Sequence, residues 1–456
     1  MHKILIRPLA LVAALLALCL LGARPALAQS ILRDAETEAL LDDMAAPLIK
    51  SSGLEPGNVD IILVNDSTVN AFVAGGQAIY IHSGLISEAD SALQVQGVIA
   101  HELGHITGGH IIGFSDGAKA ASNISILSLL LGAAAAVAGA GEAAMGVLAA
   151  GQQAAMGKFL AFTRGQESAA DLAGAQYLAG AELSGRGSLE FFKKLQALEH
   201  RAGYYASQED TFFRTHPLSR DRIETLTTVY EKDPAWNKPL DSGLEDRFRR
   251  IKAKLYGYQA QPKDTLNAYP TSDQSVAAHY ARAFAYNKDS LIGRSVTEID
   301  ALLLAEPDNP YFLELKGQVL LESGRPAEAL APLRRAVELS NNHPLIATML
   351  GHALLATEDR SHGAEAEQVL RNAVARDREN PTAWYLLGRI YADRGDTPRA
   401  RLASAEQLIM TGQAAAAMQN AAAAEAALPA ESVDWLRAQD IKLEARAQIE
   451  RNKKRK

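Results

Sequence analysis

The 456 residues include 46 basic and 53 acidic side chains, for a formal charge of −7, and this length points to about two to three domains rather than one core. The acidic balance excludes a general nucleic-acid binder, and the basic end, Lys453-Lys454-Arg455-Lys456, reads as a solvated terminus. The single cysteine, Cys19, falls in the N-terminal apolar run, so the chain beyond that run has no disulfide and no cysteine nucleophile.

That run reads as a secretory signal. His2, Lys3 and Arg7 precede apolar residues from Leu9 to Leu21, and Ala26-Leu27-Ala28 comes next as an A-x-A cleavage site. The run is short for a bilayer span, and Leu18 before Cys19 is too large for a lipoprotein signal. Cleavage after Ala28 removes Lys3, Arg7 and Arg24 and takes the charge from −7 to −10. The expected destination is the periplasm of a Gram-negative bacterium.

Residues 30–52 read as a helix with Leu32, Ala35, Leu40, Leu41 and Met44 as apolar positions, and Pro47 marks a kink or an early end. Three β-like runs come after it, Val59–Val64, Ala71–Ala74 and Ala78–His82, punctuated by Asn65-Asp66-Ser67 and Gly75-Gly76. An edge strand of such a sheet can pair with an extended substrate, or the sheet can simply pack behind the next helix. Both readings stand. Ser87-Glu88-Ala89-Asp90 resembles a capping box opening that helix, with Leu93, Val98, Ile99, Leu103 and Ile106 as its buried positions.

The helix carries His101-Glu102-Leu103-Gly104-His105, an H-E-x-x-H pattern. Two imidazoles four residues apart share one helical face and can hold Zn²⁺, one ion per chain, with Glu102 placed to take a proton from water. A catalytic zinc needs a third protein ligand. In Glu167-Ser168-Ala169-Ala170-Asp171, Glu167 supplies it. Asp171, one turn later, accepts a hydrogen bond from a ligand imidazole, that of His101. The small residues Ser168, Ala169, Ala170, Ala173 and Gly174 permit close helix packing there. His110 lies about 140° round the helix from His105, so it is not read as a ligand; its expected place is behind the ligands or in solvent.

From Ile124 to Gly141 there is no charge, and Glu142 is the only one before Lys158. This stretch reads as a helical hairpin or lid over the cleft, in preference to a membrane span; peripheral membrane contact stays open. Residues 234–272 read as a helical connector. Beyond it Pro310, Pro344 and Pro381 recur 34 and 37 residues apart. Gly317, Ala329, Leu333 and Ala336, then Gly351, Ala366, Leu370 and Ala373, occupy the positions of a tetratricopeptide repeat. Trp384, Gly388, Tyr391 and Ala400 open a third copy that decays into Ala414–Leu428, and Leu436–Ile449 reads as a closing amphipathic helix. Stacked repeats commonly bind proteins.

Together these motifs resemble the gluzincin zinc peptidases. More narrowly, Asn70-Ala71-Phe72, Gly84-Leu85 and Thr215-His216-Pro217 resemble the BepA-like periplasmic metalloproteases, relatives of HtpX and the CAAX prenyl proteases. The resemblance implies that His216, with Arg222 after it, lies near the zinc. There His216 either stabilises the oxyanion or occupies the open position and keeps the enzyme latent, while Arg222 helps meet the developing negative charge.

The expected fold is α+β and mostly helical: a signal peptide (1–28), a zinc metalloprotease domain with a small β-sheet (29–233), the connector (234–272) and an all-α tetratricopeptide-repeat solenoid (273–456). The expected function is metalloendopeptidase activity in the quality control or assembly of outer-membrane proteins, with unfolded or stalled proteins as substrates and the assembly machinery as a partner. The alternative is a chaperone or assembly adaptor with a latent zinc site.

Overall fold

The computed structural model describes residues 30–110, 119, 122–131, 141–202, 216 and 219–454; the segment read as a signal peptide lies outside them. The first described elements are β1 (Ser30–Ile31) and α1 (Ala35–Ser51), then β2 (Asp60–Asn65), β3 (Ala71–Ala74) and β4 (Ala78–His82). Helix α1 starts five residues later than its sequence suggests, because Asp34 is extended and its carboxylate accepts from the Thr37 amide as the N-cap. Pro47 does not end it: Leu48 and Ile49 continue the buried face.

The sheet runs β1-β2-β4-β3. The pairing of β2 with β4 is parallel, setting Leu63 beside Ile81, and β3 pairs antiparallel with β4, setting Phe72 beside Tyr80. Gly75 and Gly76 make the β3–β4 turn at φ 64° and 112°, values that suit residues without a Cβ. Next come α2 (Ser83–Glu88) and α3 (Ala92–Thr107). Ser87 and Glu88 therefore close α2 rather than cap α3. The N-cap of α3 is Ser91, and Gln94 Oε1 reaches back to accept from the Asp90 amide at 2.8 Å.

Every residue of α3 from Ala92 to His105 is buried. Around it pack α1, the sheet, α5 (Gly141–Gly180) and α6 (Arg186–Ala202), with α7 (Arg220–Tyr230) lying on α5 and α6 and, further along, α8 (Ser242–Gln259) touching α3. Leu40, Met44, Ile81, Ile99, Leu103, Phe191 and Phe248 belong to one apolar cluster. Phe248, Ile251 and Leu255 of α8 lie in that core, so the segment read as a connector is built into the first domain's packing. Between α3 and α5, residues 122–131 form helix α4. It lies so close to α5 that a Cβ on Gly151 would be 2.0 Å from that of Ser128. Residues 132–140 lie outside the described set. Among the described residues no helix is long and apolar enough to cross a membrane.

After α9 (Pro262–Ala268) come helical pairs: α10 (Val276–Lys288) with α11 (Ile292–Ala305), α12 (Pro310–Glu322) with α13 (Pro326–Leu339), α14 (Pro344–Ala356) with α15 (Gly363–Arg376), and α16 (Pro381–Asp393) with α17 (Thr397–Met410). Pro310, Pro344 and Pro381 recur because each is the first residue of a helix, where a missing N–H costs nothing. Gly317 and Gly351 recur because a Cβ there would lie 2.3 Å from Leu333 and 2.6 Å from Leu370. The last pair is α18 (Ala414–Ala427) with α19 (Val433–Lys454). The closing face of α19 is Ala438, Ile441 and Ala445, whereas Leu436 and Leu443 are exposed.

The two halves meet through charge as well as apolar packing. Ala35 joins the repeat core. Lys254 Nζ lies 2.5 Å from Asp34 and 3.3 Å from Glu36, and the Tyr280 hydroxyl donates to Glu36 at 2.7 Å.

Candidate metal centre

Helix α3 presents His101 and His105 on one face, toward α5, because four residues make just over one turn. The two helices touch backbone to backbone: a Cβ on Gly104 would lie 2.5 Å from the Ala170 carbonyl oxygen, and one on Gly174 would be 3.0 Å from Ala100. Of the small residues in α5, Ala170 and Gly174 make this approach, while Ser168 and Ala169 are exposed. The close crossing delivers Glu167 and Asp171, both buried, to the histidines.

His101 Nε2 and His105 Nε2 are 3.1 Å apart, and each lies 3.4 Å from an oxygen of Glu167. His216 Nδ1 is 3.3 Å from His101 Nε2 and 3.2 Å from both Glu167 oxygens. All four donor atoms fall within 4.8 Å of one another. The edge of a tetrahedron with bonds of ~2.0–2.1 Å is roughly 3.3–3.4 Å, so these separations fit a single ion at the centre of the group.

The surroundings fit a cation too. Asp171 Oδ1 is 3.0 Å from His101 Nδ1, an acceptor that would keep the proton on Nδ1 when Nε2 binds a metal. Arg222 clamps Asp171 through Nε at 2.6 Å and Nη2 at 2.8 Å, and reaches Glu167 with Nη1 at 3.0 Å. Burial disfavours a charged His101, but hydrogen bonds to Asp171 and Glu167 hold its imidazole up at about 10. Burial also opposes ionisation of Glu167, yet its three histidine neighbours hold it far below the carboxylate range. Asp171 is likewise lowered against burial, by Arg222 and then His101. Burial pushes the His105 imidazole down, Glu167 opposing and the charge of His101 adding to the effect.

Glu102 is fully buried, and neither of its oxygens accepts a hydrogen bond among the described residues. Its nearest ion-pair partner is His216 Nε2, 3.6 Å from Oε1. Such a carboxylate is costly unless its place is functional.

The structure thus brings His101, Glu102, His105, Glu167, Asp171, His216 and Arg222 to one place. It also brings His110, whose Nδ1 is 2.9 Å from that of His105. His110 is not among the four donors; it stands behind the ligand His105, where α3 ends at Thr107 and Gly109 takes φ +62°.

Known proteins share these features. Residues 32–229 match Peptidase family M48, and residues 277–344 and 348–417 match Tetratricopeptide repeat. The chain is 25% identical over 362 residues to a protein of Yersinia pestis named Beta-barrel assembly-enhancing protease, covering 77% of this chain and 71% of that one. Its counterpart of the same name in Escherichia coli (strain K12) is 25% identical over 360 residues, with the same coverage. A solved structure titled YrrB, a TPR protein with an unusual peptide-binding site, is 21% identical and covers 38% of this chain and 89% of its own, at a TM-score of 0.31. The M48 family implies a divalent metal, and the His101, His105, Glu167 and His216 group is compatible with one. The chain carries a Peptidase family M48 domain followed by tetratricopeptide repeats, and it is a metalloprotease.

Proposed function

We propose that the chain is a zinc-dependent endopeptidase of the periplasm, acting in the assembly or quality control of outer-membrane proteins, with its repeats binding protein substrates or partners. The observation that carries the catalytic part is the convergence of His101, His105 and Glu167 donors at 3.1–3.4 Å beside the unbonded carboxylate of Glu102. The outer-membrane part is supported by the names of the relatives, which cover most of both chains.

In this reading His101, His105 and Glu167 hold Zn²⁺, which when bound polarises the scissile carbonyl and acidifies the attacking water. Glu102 takes the water's proton and returns it to the leaving amine. Asp171 fixes the His101 ring. Arg222, committed to Asp171 and Glu167, acts through them rather than on substrate. Among the described residues strand β3 pairs with β4 alone, and it packs near α3. An extended substrate adds to its free edge by main-chain hydrogen bonds, largely regardless of sequence.

His216 favours a second reading, a chaperone or adaptor with a latent zinc site. Its Nδ1 completes a set of four protein donors, the mark of a closed site. The two roles open to His216 part on one variant, His216→Ala: raised casein cleavage supports latency of a working enzyme, and abolished cleavage supports an oxyanion role. The peptidase reading itself is tested by metal removal. Chelation abolishes casein cleavage and zinc restores it; cleavage that persists in a chain shown to be metal-free removes the proposal.

A further inference from the structure

A groove runs where the repeats meet the first domain. Segment Leu32–Ala35 and α8 form one wall, and α10, α12 and α14 the other, around a cavity of about 600 Å³. A second hollow shares Tyr258, Phe284, Gln318 and Glu322 with it and continues to Asn65 and Ser67, after β2. Aromatic rings of Tyr258, Tyr280, Phe284 and Tyr311 line it.

The charges in this lining are nearly all matched within the chain. Arg33 pairs with Glu38 and with Asp377 at 3.1 Å. Asp34 pairs with Lys254, which also reaches Glu36. Glu322 accepts from Asn287 and Gln318, both at 2.8 Å. Glu314 is the exception: half-buried on α12, its carboxyl has no hydrogen bond or ion pair among the described residues. A carboxyl removed from water without a partner is costly, and aromatic faces beside it favour a cation.

We propose that this groove receives an extended polypeptide segment bearing a lysine or arginine, whose cationic head pairs with Glu314 while its flanking residues lie on Tyr258, Phe284 and Tyr311. The proposal rests on the reading that the repeats bind polypeptides, and it names the side chain they select. The chain's own N-terminal segment shows the mode. Leu32 donates its amide to Leu63 as an extension of β1, and Arg33 projects across to Asp377. Glu314 offers the same kind of acceptor to an incoming strand, with its partner still to come.

Glu314 is faced by Lys254 of α8, by Asp34, Glu36 and Glu38 at the start of α1, and by Tyr311 on its own helix. Burial, opposed by Lys254 and assisted by the three acids, pushes its carboxyl up to about 8. Capture of a cation therefore expels a proton near neutrality.

The test is fluorescence anisotropy on the full chain carrying Glu102→Gln, which leaves the probe uncut. The probes are labelled, capped seven-residue peptides of alternating valine and threonine whose central residue is arginine, glutamine or glutamate. The arginine peptide should bind about tenfold tighter than the glutamine peptide, as a hydrogen bond to a charged group allows. Its affinity should rise from pH 6 to 9. Adding Glu314→Gln should erase both effects, with thermal unfolding showing the variant folded. Equal binding of the arginine and glutamine peptides, a preference for glutamate, an unchanged ratio in Glu314→Gln, or no binding would each overturn the proposal. Undiminished casein cleavage by a wild-type chain without the preference would sink this site and leave the peptidase reading standing.

Discussion

Gly104→Ala is the sharpest structural test of how the centre is assembled, because Gly104 has no side chain to contribute chemistry. Its Cβ would lie 2.5 Å from the Ala170 carbonyl oxygen and 2.8 Å from Ala170 Cα, both backbone atoms of α5. An ordinary Cβ contact begins at 3.4 Å, so the helices must part by about 0.9 Å. Glu167 lies one turn before Ala170 and moves with α5. Its present 3.4 Å separations from the two imidazoles would widen well beyond the ~0.2 Å that metal–ligand distances tolerate. Overpacking of this kind costs roughly 1–3 kcal/mol in stability, which a domain of this size survives. Turnover suffers more, since a ~1 Å displacement of a catalytic group can cost about 10²-fold in rate. Metal content after dialysis and initial rates of casein cleavage report the effect, with Gly174→Ala, at a milder 3.0 Å, as the comparison. A folded Gly104→Ala chain with one metal ion and wild-type turnover would show that the close α3–α5 crossing does not position Glu167.

Two further expectations concern charge. Asp171→Asn leaves a hydrogen-bond partner for His101 but removes the negative charge held by Arg222; metal affinity should fall about 10–100-fold, read by competition with a chromogenic chelator, and an unchanged affinity would contradict the role given to Asp171. Glu314 bears on stability through its carboxyl near 8, raised from 4.5. Between those values the folded chain keeps a proton that the unfolded chain has lost, so this group's contribution to stability falls as pH rises and levels off above about 8. Glu314→Gln should therefore gain Tm relative to wild type progressively from pH 5 to 8; a pH-independent difference would contradict the assignment.

The sequence carried the local chemistry well, because it is written in helical periodicity. His101 and His105 share a face by spacing alone, and the Glu167–Asp171 pair obeys the same rule one helix away. The prolines and glycines of the repeats were legible for a similar reason: each marks a fixed place in one helical pair. What escaped the sequence depends on contacts between distant segments. Nothing near Asp34 and Glu36 signals that Lys254 and Tyr280 will close around them. Nothing in Phe248 or Ile251 says which of two neighbouring cores the helix will join. The helix that carries Glu167 begins at Gly141, far before the Glu167 motif, a length that the motif alone does not signal. His110 stays out of the donor group, as its spacing implies, but its contact with His105 comes from the turn at Gly108-Gly109, which spacing alone does not show.

The central claim is that a metal held by His101, His105 and Glu167 works with Glu102 as the base. Metal analysis and casein digestion of wild type and Glu102→Gln test it most directly. Both proteins should carry one zinc per chain, and only the wild type should cleave. Undiminished cleavage by a metal-loaded Glu102→Gln chain would contradict the account.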